Sequence, residues 1–217
     1  MGRRTHGRVL ALVATKGGTG KSTIAACLAG ELYRRGVRLA LLDADPQRTL
    51  SAWHGNNGPL HAVPIGAATG ASVLPALESL SAKHPLVVVD TAGFQNRDTL
   101  AVLSMAETAL VPFAPTPADA IGTAQTVALL REVNNTVERR KTPVRLALVM
   151  NNVSRSALVA HIRREVEATG ASVLDACLHR RVAYAEAFLA GSAPCWMGAS
   201  ARPAADEVAA VASELGF

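Results

Sequence analysis

Short runs of consecutive apolar residues, separated by stretches with helical spacing, set the pattern of this chain. A run of Val, Leu and Ile without polar alternation is how a strand buried on both faces reads, and it is typical of parallel sheets. The pattern predicts strands over Val9–Ala14, Leu39–Asp43, Ala62–Ile65, Leu86–Asp90, Ala109–Phe113, Val144–Met150 and Ser172–Cys177. Between them the apolar positions recur every three or four residues. This predicts helices over Ser22–Arg35, Val73–Ser81, Asp98–Ala106, Ala118–Asn135, Ser156–Ala168, Val182–Ala190 and Pro203–Leu215, with a short piece at Leu50–Trp53. Strands alternating with crossover helices imply an α/β fold. The expectation is a single-domain, doubly wound, mostly parallel sheet of about seven strands with helices on both faces.

The stretch His54–Ala71, rich in Gly and Asn and containing Pro59 and Pro64, reads as a surface excursion around one short strand, not as a domain boundary. One domain over residues 1–217 is therefore expected, and 217 residues give ample material for a core. At 49% hydrophobic and 18% charged, the chain is neither disordered nor fibrous. Its cysteines, Cys27, Cys177 and Cys195, are widely spaced and odd in number, which suggests neither a disulfide scaffold nor a metal site and fits a reducing cytoplasm. The apolar run after the basic Met1–Arg8 is too short for a signal peptide, and no stretch approaches the roughly 20 apolar residues of a membrane span.

The net charge of +5 is localised. From Arg131 to Arg181 there are ten basic residues against five acidic ones, leaving twelve of each elsewhere. Two readings stand: a set of solvated helix faces, or a surface for phosphate backbones, for which clustered Arg on helices is the expected footprint.

The strongest chemical signal is Thr15-Lys16-Gly17-Gly18-Thr19-Gly20-Lys21-Ser22-Thr23, between the first strand and the first helix. In that context successive backbone N–H groups can wrap a polyphosphate and the helix N-terminus adds partial positive charge. Lys21 can then reach the β- and γ-phosphates, Ser22 can ligate Mg²⁺ and Thr23 can touch the α-phosphate. The strict pattern G-x-x-x-x-G-K-[ST] is not met, because Thr15 stands at its first Gly, and an extra lysine, Lys16, precedes Gly17-Gly18. Two acidic motifs follow at strand ends, where ligands of open α/β sheets bind. Leu41-Leu42-Asp43-Ala44-Asp45-Pro46-Gln47 places Asp43 and Asp45 on one side by alternation, unless the D-x-D-P turn only caps a helix. Leu86-Val87-Val88-Val89-Asp90-Thr91-Ala92-Gly93 has the layout of a Walker B strand, with Asp90 able to hold Mg²⁺ through water and a flexible Thr91-Ala92-Gly93 after it.

The K-G-G-x-G-K-[ST] arrangement resembles the deviant Walker A motif of the ParA/MinD family of P-loop ATPases. D-x-D-P-Q resembles that family's switch I. The segments Val111–Asp119 and Leu178–Ala187 look like the proline-rich stretch and the R-x-V-x-x-x-E-A loop of short ParA proteins, so the likeness runs from Arg8 to about Gly191. The resemblance implies ATP and Mg²⁺ as cofactors. It implies that Lys16 reaches the phosphates bound by a partner subunit, tying ATP binding to a homodimer, and that Asp45 orients or activates the attacking water with Asp43 near the Mg²⁺ shell. It places Asn151 against adenine, although Asn151-Asn152 also reads as a loop start. No N/T-K-x-D tetrapeptide is present, which favours ATP over GTP.

Family members differ in what the ATP-bound dimer holds. No Lys or Arg follows Arg202, which disfavours a basic membrane-binding terminal helix. The expected partner is DNA without sequence preference, through Arg180 and Arg181 first and then Arg163 and Arg164, in a nucleoid-associated protein of the cytoplasm. Trp53 reads as either a partner-facing aromatic or a buried one. The first strand begins too early for an N-terminal operator-binding domain, so a separate cargo- or centromere-binding protein is expected to stimulate hydrolysis. Plasmid, chromosome, carboxysome and chemoreceptor cluster are all open as cargo. The competing function is a P-loop ATP-dependent synthetase acting on a small molecule, which would have no use for Lys16. An iron–sulfur carrier is a weaker third, since the bridging cysteine pair is missing and Cys27 reads as core.

Overall fold

The computed structural model describes residues 6–93 and 97–217. The strands are β1 (Arg8–Leu12), β2 (Leu39–Ala44), β3 (Ile65–Ala67), β4 (Leu86–Thr91), β5 (Thr108–Phe113), β6 (Arg145–Val153) and β7 (Val173–His179). The helices are α1 (Lys21–Arg34), α2 (Thr49–Gly55), α3 (Val73–Lys83), α4 (Arg97–Met105), α5 (Pro117–Asn135), α6 (Ala157–Glu167), α7 (Val182–Leu189) and α8 (Arg202–Glu214). One seven-stranded sheet has the order β3-β2-β4-β1-β5-β6-β7, and every pairing is parallel.

Alternation along the central strands fills two separate core layers. Leu10 and Leu12 of β1 point to the face covered by α1, α2, α7 and α8, whereas Val9 and Ala11 point to the face covered by α3, α4, α5 and α6. Both sets are almost wholly buried, which is why these strands read as unbroken apolar runs. Each fully buried Leu or Val contributes about 1.5–3 kcal/mol relative to exposure, so the two layers provide the main driving force for the fold.

β3 lies later than the pattern suggested. Pro59 starts a 3₁₀ turn, Pro59–Ala62, and β3 pairs with β2 only from Ile65 onward. A proline offers no N–H to the ladder, and Pro64 takes part only through its carbonyl, which accepts from the Leu41 amide at 2.7 Å. β6 runs longer than expected: it continues through Asn151 and Asn152 with shifted register against β7, and Asn152 is left-handed at φ 57°. That irregularity places both asparagines next to the loop after β1.

The chain goes from β1 to β2 in one direction across the sheet and from β4 to β5, across β1, in the other. The ends of β1, β2 and β4 therefore frame a crevice at the switch point, with Leu12 and Asp43 both in register with Asp90.

Candidate functional site

The glycine loop spans this crevice and opens directly into α1. Gly20 is the N-cap residue, left-handed at φ 96°, and no side chain caps the first turn. The amides of that turn thus remain available to an anion, reinforced by the helix dipole. A Cβ at Gly20 would stand 2.1 Å from Nδ2 of Asn151, so any side chain there would have to displace that amide, and do so from a backbone conformation that favours glycine. Thr15, in the place of the missing glycine, clamps the loop to α5. Its amide donates to Oγ1 of Thr126 at 3.1 Å, and its hydroxyl donates to the Gly122 carbonyl at 2.8 Å.

Lys16 lies along the start of α5. Its ammonium donates to the Ala118 carbonyl and stands 3.9 Å from the Asp119 carboxylate. The aliphatic stem passes so close to Gly122 that a Cβ there would be 3.3 Å from it. The Lys16 side chain is nevertheless 43% exposed.

A cavity of about 500 Å³ joins the three motifs. Gly17, Gly18, Gly20, Lys21, Ser22 and Thr23 form one wall, and Asp45, Pro46, Gln47 and Thr49 face them, with Ala92 and Gly93 closing one side. Lys21 is buried, as is Thr19, whose hydroxyl has no hydrogen-bond partner. Asp90 is fully buried at the end of β4, and neither carboxylate oxygen has a hydrogen-bond partner. Burial, together with the nearby Asp43 and Asp45, pushes its carboxyl up to about 7, although the Ser22 hydroxyl and the Lys21 ammonium beside it pull the other way. A partnerless buried carboxylate next to a hydroxyl fits a divalent cation. Among the described residues no group of three or more His, Cys, Asp or Glu could hold a metal alone, which suits Mg²⁺ completed by phosphate and water rather than an all-protein cage.

Asp43 and Asp45 differ in their surroundings. Asp45 is half-buried, lines the cavity, and accepts from the Gln47 amide at 2.9 Å. Asp43 is fully buried and occupied: Oδ1 accepts from the Asp45 amide at 3.1 Å, and Oδ2 accepts from the Ser51 amide and hydroxyl at 2.8 and 2.6 Å. It braces the turn that carries Asp45 and the first turn of α2. Thr91, expected in a flexible segment, belongs to β4 and donates its hydroxyl to the Leu12 carbonyl at 2.7 Å, so only Ala92 and Gly93 of that motif reach the cavity. Trp53 faces no partner. It is 2% exposed, its ring nitrogen donates to the Ser192 carbonyl at 2.8 Å, and its ring meets Phe188 edge-on.

A second cavity of about 380 Å³ continues from the far side of the loop. It shares Gly18, Gly20, Thr23 and Thr49 with the first and adds Asn151, Asn152, His179, Arg180, Arg181 and Tyr184. Asn151 donates from its side chain to the Thr19 carbonyl at 2.8 Å.

Part of the basic segment is bonded within the molecule. Arg139 is buried and donates to the Ser104 and Ala106 carbonyls, and Arg131 and Arg145 donate to the carbonyls of Thr169 and Leu215. Arg163 pairs with Glu167 and Asp175 at 2.7 and 2.8 Å, and Arg181 pairs with Glu207. Of the four DNA-facing candidates, Arg164 and Arg180 are exposed and without an ion pair among the described residues, whereas Arg163 and Arg181 are held by carboxylates.

Comparison with known proteins agrees with this geometry. The model of the CobQ/CobB/MinD/ParA nucleotide-binding domain family matches residues 10–194. The chain belongs to this family. As a family member it is 30% identical over 210 residues to the maintenance of carboxysome distribution protein A of Halothiobacillus neapolitanus, covering 95% of each chain. It is also 28% identical over 184 residues to Protein ParA of Rhizobium radiobacter, covering 84% of this chain and 83% of that one. The Cyanothece McdA–ATP complex has the same fold, with a TM-score of 0.78, 15% identity, and coverage of 99% of this chain and 98% of that one. This is a ParA/MinD-type P-loop ATPase.

Some site features lay outside what the sequence motifs signalled. Thr49 and Asn152 line the cavities without belonging to a motif, and Glu207, in α8, reads in sequence as one of several solvated acids. The Asn151-Asn152 pair at the end of an apolar run is the one local hint for Asn152, which the structure shows to be left-handed within β6.

Proposed function

We propose that residues 1–217 work as one nucleotide-dependent positioning switch: ATP closes a homodimer, the dimer holds DNA without sequence preference, and a separate cargo- or centromere-binding protein releases it by stimulating a slow ATP hydrolysis. The observation that carries this reading is the cavity in which the glycine loop, Asp45 and the Ala92-Gly93 end of β4 face one another. In it the loop amides and Lys21 bind the polyphosphate, and Asp45 positions the attacking water. Ser22 and Asp90 hold Mg²⁺, which when bound neutralises charge on the β- and γ-phosphates. Asp43, with its oxygens engaged, serves as the brace of Asp45 and not as a ligand. Asn151 and the second cavity take the nucleoside end.

Lys16 supplies the dimer link. Its contact to Ala118 is a resting position on its own subunit, with 43% of the side chain exposed and able to swing to a partner's phosphates. A nucleotide in a dimer interface carries more negative charge than one subunit's lysine balances. The DNA surface centres on Arg164 and Arg180, and no described helix is long and apolar enough to cross a membrane. Kinship to a carboxysome-distribution protein and to a ParA leaves the cargo a choice between an organelle and DNA.

The test is duplex binding in ATP, in ADP and without nucleotide, on two unrelated sequences at two salt concentrations. The expected result is binding in ATP alone, indifferent to sequence and falling steeply with salt. Arg164→Ala and Arg180→Ala should each reduce the slope of log affinity against log salt by about 1, whereas Arg163→Ala should leave it unchanged. Failure to bind DNA in every nucleotide state overturns the nucleoid-bound part of this reading.

A further inference from the structure

A single carboxylate from α8 gathers the whole junction between β7 and α7. Oε2 of Glu207 accepts from the His179 amide at 3.1 Å and from the Tyr184 hydroxyl at 3.0 Å. Oε1 accepts from Nδ1 of His179 at 2.7 Å and from Nε and Nη2 of Arg181 at 2.9 and 2.6 Å. The Glu207 side chain is only 12% exposed. Burial works to raise its carboxyl pKa, but the donors from Arg181 and His179 outweigh it and hold the group below the usual carboxylate range. Charge-assisted bonds converging on one buried carboxylate reinforce one another, and a missing acceptor would leave several donors unmatched together.

Every residue that Glu207 binds lines the second cavity, opposite Gly18, Gly20 and Asn151, yet Glu207 itself does not line it. Without the carboxylate nothing in the described contacts fixes the Arg181 guanidinium or the Tyr184 hydroxyl in that wall. We propose that Glu207 is a positioning residue for nucleotide binding: it sets the wall of the cavity that receives the base and ribose, and has no part in holding the phosphates. The inference rests on the reading of the second cavity as the nucleoside end of the site.

Because the phosphate loop and the nucleoside wall are separate elements, ligands with and without a nucleoside tell their contributions apart. The experiment compares the affinities of ATP and inorganic tripolyphosphate, each with Mg²⁺, for the wild-type chain and for Glu207→Gln, whose neutral amide loses the charge that holds Arg181 and has an NH₂ group that cannot accept where Oε2 takes the His179 amide and the Tyr184 hydroxyl. The expected result is an ATP affinity reduced by about tenfold, the scale of one lost charge-assisted interaction, with tripolyphosphate affinity unchanged. Equal loss for both ligands, or no loss for either, overturns the positioning role. A wild-type chain that binds ATP no more tightly than tripolyphosphate overturns the nucleoside-cavity reading itself, whatever the variant does. If Glu207→Gln does not fold, Tyr184→Phe, which removes one donor and keeps the ring, carries the same comparison, and an unchanged ratio of the two affinities counts against the proposal.

Discussion

The side-chain amide of Asn151 donates to the Thr19 carbonyl at 2.8 Å, tying the end of β6 to the glycine loop across 132 positions of sequence. The contact is possible because Gly20 has no Cβ: one would stand 2.1 Å from that amide nitrogen. The shape of the phosphate-binding loop is thus set from outside as well as by its own glycines.

Gly20→Ala is accordingly expected to abolish nucleotide binding. Gly36→Ala is the control, since Gly36 is equally left-handed at φ 80° but has open space around it. Both variants should lose about 1–2 kcal/mol of stability from the left-handed alanine, seen as lowered denaturation midpoints. Only Gly20→Ala should lose ATP in a titration. Retention of ATP by that variant would mean that Asn151 gives way and the loop is not held as described.

On the proposed reading, Lys16 separates binding from assembly. Lys16→Ala should still bind ATP as a monomer, because Lys21 and the loop amides remain, but should no longer dimerise with ATP. Size-exclusion chromatography with and without ATP reads this directly. An unaltered ATP-dependent dimer would sink the idea that Lys16 reaches a partner.

For Asp45 the informative replacement is asparagine, which keeps an oxygen to accept from the Gln47 amide and so preserves the turn. Asp45→Asn should bind ATP and dimerise yet release no phosphate, leaving the dimer trapped. Normal turnover in this variant would refute the role assigned to Asp45.

Acid should loosen the packing of α1 through Glu31. Its side chain is 1% exposed and is gripped by Arg34 at 2.8 Å and by Arg35 at 2.7 Å. Burial pushes this carboxyl up, but the hydrogen bonds from the two arginines outweigh it and lower the pKa overall. A depressed folded-state pKa gives stability that is fully present above the unfolded value of about 4.3 and is lost as pH falls through the folded one. Glu31→Gln should therefore lower Tm at pH 7, with the gap to wild type closing in the acid range below about 4.3. A gap independent of pH would show that the ion pair contributes nothing through charge.

Much of this molecule was legible in one dimension. The buried strands announce themselves because both faces of the sheet are covered, and the glycine loop, Asp45 and Asp90 announce themselves because backbone geometry and charge at strand ends demand particular residues at fixed spacing. β3 starts later than its apolar content suggests because Pro59 opens a 3₁₀ turn and Pro64, just before the strand, has no amide to give the ladder, an effect of pairing that apolar content does not record. The division of labour between Asp43 and Asp45 was hidden as well. The two carboxylates have the same local pattern, and only the placement of Ser51 in α2 decides that one is occupied and the other open.

Charge shows the same limit. Ten basic residues between Arg131 and Arg181 are countable from sequence, but whether each faces solvent depends on carbonyls and carboxylates that other elements bring to it. Thr169, Leu215, Asp175 and Glu207 arrive from helix ends, β7 and α8 and hold Arg131, Arg145, Arg163 and Arg181, whereas Arg164 and Arg180, like Arg140, Lys141 and Arg155, are exposed without an acidic partner among the described residues. Periodicity and local backbone freedom are enough to specify the fold class and the glycine loop between β1 and α1. Which acids and arginines are available, and which only hold the structure, was decided by tertiary contacts, because a charge is tied up by whatever lies within a few ångströms in space and not along the chain.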